Sequence, residues 1–239
     1  MKAVNIAVQA DGNLNWFIKQ RSDHEQPIIN GGTTYPEYGV KGIGSKDQKV
    51  IYLTFDAGYE NGNVMKILDT LKKNDVKAAF FILPGLIKYN PEAVCRMAED
   101  GHIVANHTST HKNISEMSKE ELIKELTTVE DYYKETTGCE MTKYFRPPEG
   151  SFSIESLKNL NSLGYKTVFW SFAYADWDNN KQPDPNKALG KILENVHNGM
   201  VILLHPNSAT NAAIMDELIT KLKAQGYTFE TLDHLYANS

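Results

Sequence analysis

From about Lys49 onward, short apolar runs alternate with segments whose apolar residues repeat at helical spacing. Seven runs are rich in β-branched or aromatic residues and are bounded by turn signals, which predicts β-strands. They are VIYLTF (50–55), VKAAFFIL (76–83), HIVAN (102–106), KYFRP (143–147), YKTVFWS (165–171), MVILLH (200–205) and YTFETL (227–232). Because strand alternates with helix, the pattern favours an α/β fold with a parallel sheet. Nearly continuous apolar strands in seven such units favour closure into a barrel over an open, doubly wound sheet.

Capping signals mark the helices between these strands. Ser118 and Glu121 form the capping-box pattern at the start of one helix. Four apolar residues follow on one face of that helix: Leu122, Leu126, Val129 and Tyr133. Gly164 and Gly226 each stand directly before a strand, where the left-handed backbone that follows a helix end suits glycine.

Residues 1–46 differ from the rest of the chain. They are rich in Gly, Asn and Pro and have weak periodicity, as in NGGTTYPEYGVKGIGS. We predict an irregular N-terminal arm, residues 1–46, packed on a main domain of residues 47–239. No GxGxxG or GxxxxGK[ST] pattern follows the first strand of that domain, so the nucleotide-binding α/β folds lose support.

Composition narrows the function classes. The formal net charge of −5 argues against nucleic-acid binding, which usually shows a basic excess. No apolar stretch reaches the roughly 18 residues of a transmembrane helix, so we expect no integral membrane span. The first residues lack the pattern of a signal peptide, which predicts either an intracellular protein or a mature segment. Cys95 and Cys139 cannot define a disulfide framework.

Ionisable residues stand at the ends of five predicted strands. In a βα barrel, active sites gather at the carboxyl ends of the strands, so these side chains are expected on one rim. They are Asp56 after the first strand, His107 and His111 after HIVAN, Arg146 in KYFRP, Asp176 after YKTVFWS, and His205 at the end of MVILLH. Together they supply a base, a cation to orient it, a metal-binding pair and a histidine with a nearby carboxylate.

Each of these residues also has a simpler interpretation. Asp56 can cap the helix that starts near Asn61. Arg146 can pair with a surface acid, Asp176 can cap a turn, and His205 can be a hydrogen-bonded core histidine. It is their common place at strand ends that favours a site.

His107 and His111 have the i, i+4 spacing that places two imidazoles on one side of a helical turn, as a metal site needs. A solvated loop is the alternative interpretation. Histidine nitrogens combined with oxygen ligands suit zinc, and other divalent ions remain open.

Five ordered motifs resemble those of the polysaccharide deacetylases, the NodB-homology enzymes of carbohydrate esterase family four. They are TFDAGYENG (54–62), NHTSTH (106–111), RPPEG (146–150), DW (176–177) and LLH (203–205). The match runs from about Lys49 to Leu235. The resemblance implies a distorted (β/α) barrel with seven or eight parallel strands, and a metal-dependent hydrolase that removes N-acetyl groups from a cell-wall glycan.

The resemblance also implies a role for each matched residue. Asp56 corresponds to the catalytic base and Arg146 to the residue that positions it. His205 corresponds to the catalytic acid, and Asp176 to the carboxylate that orients it.

Two further groups of residues follow from the same motifs. His107 and His111 correspond to the metal-binding histidines. Trp177 corresponds to the apolar wall of the substrate groove. Four other candidate substrate-binding residues lie in the motifs: Tyr59, Pro148, Glu149 and Leu203.

Two departures refine the resemblance. Ala57 stands where most of the family has a second Asp as a metal ligand, so we predict weaker metal binding than in typical relatives. Glu60 and Asn61 are the candidate substitutes for that ligand.

The YEN that follows Gly58 is similar to the muramic acid δ-lactam branch, which removes acetyl groups from peptide-free N-acetylmuramic acid in spore cortex. Glu149 stands where that branch is expected to have Arg, and it would repel the lactyl carboxylate.

Several functions therefore remain open. The primary hypothesis is de-N-acetylation of N-acetylmuramic acid in peptidoglycan, which places the protein outside the cell, at the wall or facing the forespore after export. N-acetylglucosamine deacetylation and O-acetyl esterase activity on a polysaccharide use the same machinery. A glycan-binding module with a degraded metal site is the alternative of another class. It is supported by Ala57 and opposed by the acid and base residues.

Overall fold

The computed structural model describes residues 12–21 and 23–237. Twelve strands are numbered in chain order: β1 Leu14–Asn15, β2 Ile18–Lys19, β3 Ile28–Ile29, β4 Val40–Lys41, β5 Val50–Ala57, β6 Ala79–Ile82, β7 Ile103–Asn106, β8 Tyr144–Phe145, β9 Ser151–Phe152, β10 Lys166–Val168, β11 Met200–Leu204 and β12 Thr228–Phe229. Eight α-helices accompany them: α1 Asn63–Lys73, α2 Pro84–Tyr89, α3 Pro91–Glu99, α4 Lys119–Thr137, α5 Ile154–Ser162, α6 Pro185–Glu194, α7 Ala209–Ala224 and α8 Leu232–Ala237.

Eight strands form one parallel sheet that curls into a distorted barrel. Seven follow the order β11-β5-β6-β7-β8-β10-β4, and β12 pairs with the start of β5. A parallel bridge between Phe172 and Ile202 joins the chain after β10 back to β11 and closes the barrel. The predicted α/β barrel is confirmed, and each of the seven predicted strands contains a strand of this sheet.

The two-residue period of β5 decides which side chains reach the barrel interior. Ile51, Leu53 and Phe55 pack into the large core beneath the helices. Val50 and Tyr52 belong to a separate cluster with interior residues of other strands. Thr54 and Asp56 continue the alternation of this second set, so Asp56 emerges inside the carboxyl rim of the barrel.

The predicted capping box of α4 and the two glycines predicted after helix ends are confirmed. At α4, Ser118 and Glu121 form both reciprocal hydrogen bonds of the capping box, and the predicted apolar face is buried. Gly164 and Gly226 follow helix ends with φ of 82° and 85°. Among the residues that the structure describes, no helix combines the length and apolar character needed to cross a bilayer.

The N-terminal arm packs against the barrel near its carboxyl rim. Strand β1 pairs with β9, and Trp16 stacks on Phe169 with ring centroids 4.3 Å apart. The backbone N–H of Trp16 also donates to the carbonyl of Gly150 at 2.8 Å. The arm is not wholly irregular, because β4 is a strand of the main sheet that lies before residue 47. Residues 1–11 and 22 of the predicted arm lie outside the described residues.

Candidate active site

A cavity of about 810 Å³ opens at the carboxyl end of the barrel strands. It brings together most of the residues singled out from sequence: Asp56, Tyr59, His107, His111, Glu149, Trp177, Leu203 and His205. Arg146 and Asp176 are fully buried behind this surface, and each contacts a residue that lines it. Pro148 is buried and does not line the cavity.

Asp56 and Arg146 form a buried ion pair at the floor. Arg146 Nη1 donates to Asp56 Oδ1 at 2.8 Å, and Nη2 donates to Thr54 Oγ1 at 2.8 Å. Burial raises the pKa of Asp56, but the charge of Arg146, the nearby imidazoles of His107 and His205 and the hydrogen bond from Arg146 outweigh burial and hold this pKa below its ordinary value. The carboxylate is therefore ionised near neutral pH. It does not cap a helix, because the residue before α1 is Gly62 and no side chain caps it.

His107 presents one nitrogen to the cavity. Its Nδ1 lies 2.8 Å from the carbonyl of Arg146, which can only accept, so the proton sits on Nδ1 and Nε2 carries the lone pair. This Nε2 is 3.5 Å from Asp56 Oδ2. Burial lowers the pKa of His107 to about 4, so the imidazole is neutral at pH 7. A neutral imidazole whose other nitrogen is hydrogen-bonded is the usual state of a metal ligand.

The two predicted metal histidines meet on a loop rather than on a helical turn. The rings of His107 and His111 are 5.0 Å apart at an interplanar angle of 72°. Thr108 and His111 have φ of 70° and 56°, so the helical turn expected from the spacing was wrong. The carboxylate of Glu125 in α4 holds the loop by accepting bonds from the backbone and hydroxyl groups of residues 109 and 110. No sequence motif marked Glu125, because its role depends on where α4 packs.

These two imidazoles fit a divalent ion as a partial ligand set. Within residues 12–21 and 23–237, no group of three or more His, Cys, Asp or Glu side chains has the arrangement of a metal site. Glu60 and Asn61, the candidate substitutes for the missing ligand, do not line the cavity. The Asn61 side chain instead donates to the carbonyl of Asn207 at 2.9 Å.

His205 and Asp176 form a second pair at the rim, next to β11, the strand that neighbours β5. His205 Nδ1 lies 2.8 Å from Asp176 Oδ1, and the His205 amide donates to Oδ2 at 2.8 Å. Burial lowers the pKa of His205, but the hydrogen bond and charge of Asp176, with Asp56, outweigh burial and Arg146, so this pKa is raised. His205 is therefore not an enclosed core histidine, since its side chain is 25% exposed and lines the cavity.

Two exposed aromatic side chains border the cavity. Trp177 is 62% exposed and Tyr59 is 44% exposed, and such ring faces suit the apolar face of a sugar. Asn207 Nδ2 donates to the Tyr59 hydroxyl and to Asn179 Oδ1, both at 3.0 Å. Asn207 lines the cavity but lies outside the motifs, so sequence reasoning missed it.

Glu149 occupies the rim in a constrained turn. Its φ is 57°, in the left-handed region, and its side chain is exposed to the cavity. Of the described residues that line this cavity, none is lysine or arginine. An anionic substrate group would therefore meet a carboxylate here without an adjacent lysine or arginine partner.

Comparison with known proteins identifies the family. The family model described as polysaccharide deacetylase matches residues 43–168. The peptidoglycan-N-acetylmuramic acid deacetylase PdaA of Bacillus subtilis is 38% identical, over 93% of this chain and 85% of the relative. An uncharacterized 30.6 kDa protein of Geobacillus stearothermophilus is 43% identical, over 93% and 84%. The solved structure of B. subtilis PdaA, a family 4 carbohydrate esterase, superposes with a TM-score of 0.90 and covers 94% of this chain and 97% of that one.

Proposed function

This chain belongs to the polysaccharide deacetylase family, and from that premise we propose that it hydrolyses the N-acetyl group of N-acetylmuramic acid in peptidoglycan. The observation that supports this chemistry is that two groups at one cavity have pKa values shifted in opposite directions. Arg146 helps to hold the pKa of Asp56 below its ordinary value, whereas Asp176 raises the pKa of His205. Two ionisable groups whose environments push their pKa values apart are the arrangement expected of a base and an acid.

In this proposal, Asp56 accepts a proton from a water molecule whose oxygen attacks the acetyl carbonyl carbon. The carbon–nitrogen bond then breaks, and His205 delivers the proton from Nε2 to the departing amine. The products are acetate and a free amino group on the sugar. Arg146 keeps the base oriented and charged, and Asp176 keeps the imidazole in the form that carries the second proton.

His107 and His111 would hold a divalent metal through their unprotonated nitrogens, and zinc suits such donors. When bound, such an ion polarises a carbonyl group and lowers the pKa of a coordinated water. The chain contributes two neutral ligands rather than a set that includes a second carboxylate, since Ala57 occupies that position.

N-acetylmuramic acid is supported as the sugar by the similarity to PdaA over nearly the whole chain. The amine released on this sugar can condense with the lactyl carboxylate of the same residue and give a δ-lactam, as in spore cortex. The proposed place of action is the cell wall or the forespore-facing surface after export.

Glu149 favours a second candidate, N-acetylglucosamine. This sugar has no lactyl carboxylate, so it avoids the repulsion from a rim carboxylate that lacks a cationic neighbour among the described cavity residues. A mass-spectrometric digest of treated, peptide-free peptidoglycan decides between the two sugars. Loss of acetyl from muramic acid supports the primary proposal, loss from glucosamine supports the second candidate, and loss from neither contradicts both.

Glu149→Gln is expected to raise kcat/KM on a muramic-acid substrate by about 5-fold relative to a glucosamine oligomer. The expected change corresponds to about 1 kcal/mol of like-charge repulsion between partly solvated groups. Glu155→Gln is the matched control, because Glu155 is exposed in the first turn of α5 and lies outside the cavity. Equal changes on both sugars would show that Glu149 does not discriminate between them.

The pH dependence of kcat/KM is expected to be bell-shaped. Activity should fall in acid as His107 takes up a proton at about 4, and should fall further as Asp56 is protonated below its lowered pKa. Activity should fall in alkali only above the ordinary histidine pKa of about 6.5, because the pKa of His205 is raised. Asp176→Asn removes the negative charge, so the alkaline limb should move to lower pH. An unmoved limb would mean that His205 is not the titrating acid.

Chelation is expected to abolish acetate release, and added zinc is expected to restore it. Because two neutral histidines hold the ion without the second Asp, calorimetric titration should give a dissociation constant weaker than nanomolar. His107→Ala should lower the affinity further. A nanomolar site, or full activity in the chelated protein, would contradict this prediction.

A further inference from the structure

The carboxylate of Asp176 is bound by a buried side chain that belongs to none of the sequence motifs. Asn211 lies in the first turn of α7 and is fully buried. Its Nδ2 donates to Asp176 Oδ2 at 2.6 Å and to the carbonyl of His205 at 3.0 Å. One amide group therefore bridges the carboxylate and the backbone of the histidine that the carboxylate orients.

The orientation of this amide is fixed from its other side. The hydroxyl of Tyr174 donates to Asn211 Oδ1. A flipped amide would place its oxygen against the Asp176 carboxylate and the His205 carbonyl, which are acceptors, and would turn its NH₂ toward the hydroxyl. The backbone of Asn211 is fixed as well, because its amide donates to Ser208 Oγ at 3.1 Å.

The network gives a partner to every side-chain polar atom of Asn211 and Asp176. Both hydrogens of Asn211 Nδ2 and its oxygen are used, and the Asp176 carboxylate accepts three bonds, two of them from His205. A fully satisfied buried network fixes one arrangement of its members. Here that arrangement directs Asp176 Oδ1 at Nδ1 of His205 and leaves Nε2 as the nitrogen that can face substrate.

We propose that Asn211 is a positioning residue, itself held in place by the hydrogen bond from Tyr174. It keeps the Asp176 carboxylate directed at Nδ1 of His205 and thereby fixes the imidazole tautomer. This inference rests on the proposed function, in which His205 is the acid. Neither Asn211 nor Tyr174 is assigned a proton-transfer step. Asn211 acts on the imidazole of His205 through Asp176, because its other hydrogen bond reaches only the His205 backbone carbonyl. Dependence on Asp176 separates positioning from a general contribution to folding.

The test is a double-mutant cycle with Asn211→Ala and Asp176→Ala, measured as acetate release from peptide-free peptidoglycan. In the wild-type background, Asn211→Ala should lower kcat by about 10- to 100-fold with KM changed by less than about 3-fold, the loss typical when an outer partner of a functional side chain is removed. In the Asp176→Ala background the same substitution should change kcat by less than about 3-fold. Equal losses in both backgrounds would overturn the proposal.

Tyr174→Phe provides a milder second variant if Asn211→Ala folds poorly. It removes one neutral hydrogen bond and should lower kcat by about 2- to 10-fold. Tyr144→Phe is the matched control, because the Tyr144 hydroxyl donates to Asp233 Oδ1 at 2.7 Å. Neither Tyr144 nor Asp233 lines the cavity. The control should retain wild-type kcat. If kcat of Tyr174→Phe equals that of the control, the hydrogen bond from Tyr174 does not hold Asn211 in its functional position.

A readout independent of activity is the nitrogen-15 spectrum of the His205 imidazole, assigned with His205→Gln. Wild-type protein above the pKa of His205 should hold the proton on Nδ1, whereas Asn211→Ala should shift the population toward Nε2–H. If wild-type protein releases no acetate from any N-acetylated glycan, the proposed function fails while this spectrum still tests the positioning. An unchanged tautomer in Asn211→Ala would overturn the positioning whatever the activity.

Discussion

Replacing Asp56 with asparagine is expected to lower the rate of acetate release from peptidoglycan by about 10²–10⁴-fold, the usual contribution of a general base. The charge of Arg146, its hydrogen bond and the neighbouring imidazoles outweigh burial and keep the carboxylate ionised, so it is ready to accept a proton at neutral pH. An amide of the same shape can still accept the hydrogen bond from Arg146 but cannot take a proton. The loss should therefore fall on kcat, measured by acetate release under saturating substrate.

Two controls make this result specific. Asp216→Asn removes an exposed carboxylate that pairs with Lys73 on the helical layer, and it should leave acetate release unchanged. Thermal unfolding of Asp56→Asn should show that the barrel is retained, because a lost fold would imitate a lost base. If folded Asp56→Asn keeps its rate within about 10-fold of wild type, another group is the base.

The fold was predictable because most of its strands and helix ends are marked by short runs of neighbouring residues. Seven of the eight described barrel strands lie in short apolar runs, and signals such as the Ser118–Glu121 box mark where a helix begins. Strand β4 was missed because two residues, Val40 and Lys41, are too few to establish a period. They form a strand only because β10 offers a free edge beside them, which is a tertiary effect.

The candidate site was predictable to the extent that strand ends locate it. Asp56 and His205 end neighbouring strands, and parallel strands necessarily bring their carboxyl ends to one rim. The contacts behind that rim were not predictable from spacing. Glu125 reaches the histidine loop from a helix, and Asn211 reaches Asp176 from another, so both depend on how helices pack. The histidine spacing was informative for a different reason from the one inferred, since a loop rather than a helical turn brings the rings together.

Arg146→Met is the substitution expected to destabilise the protein most among the site variants, by about 3–5 kcal/mol. The guanidinium is fully buried, lies 4.2 Å from the centroid of the Phe81 ring and forms bonds to Asp56, Thr54 and backbone carbonyls. Methionine fills similar space but leaves the Asp56 carboxylate in the barrel without its cation. The free energy of unfolding should be measured by urea titration of the chelated protein, so that no bound ion replaces the lost charge.

The origin of this loss can be tested by removing the second charge and by changing pH. Asp56→Asn combined with Arg146→Met should recover part of the lost stability, because no uncompensated carboxylate then remains. In the wild type, the lowered pKa of Asp56 contributes stability above its unfolded pKa of about 3.9, and this is lost as pH falls through the folded value. In Arg146→Met, burial raises the folded pKa instead, so the deficit should shrink as the solution is acidified and Asp56 becomes neutral. A deficit that is independent of pH and is not relieved by Asp56→Asn would mean that Arg146 stabilises the barrel by packing and not by charge.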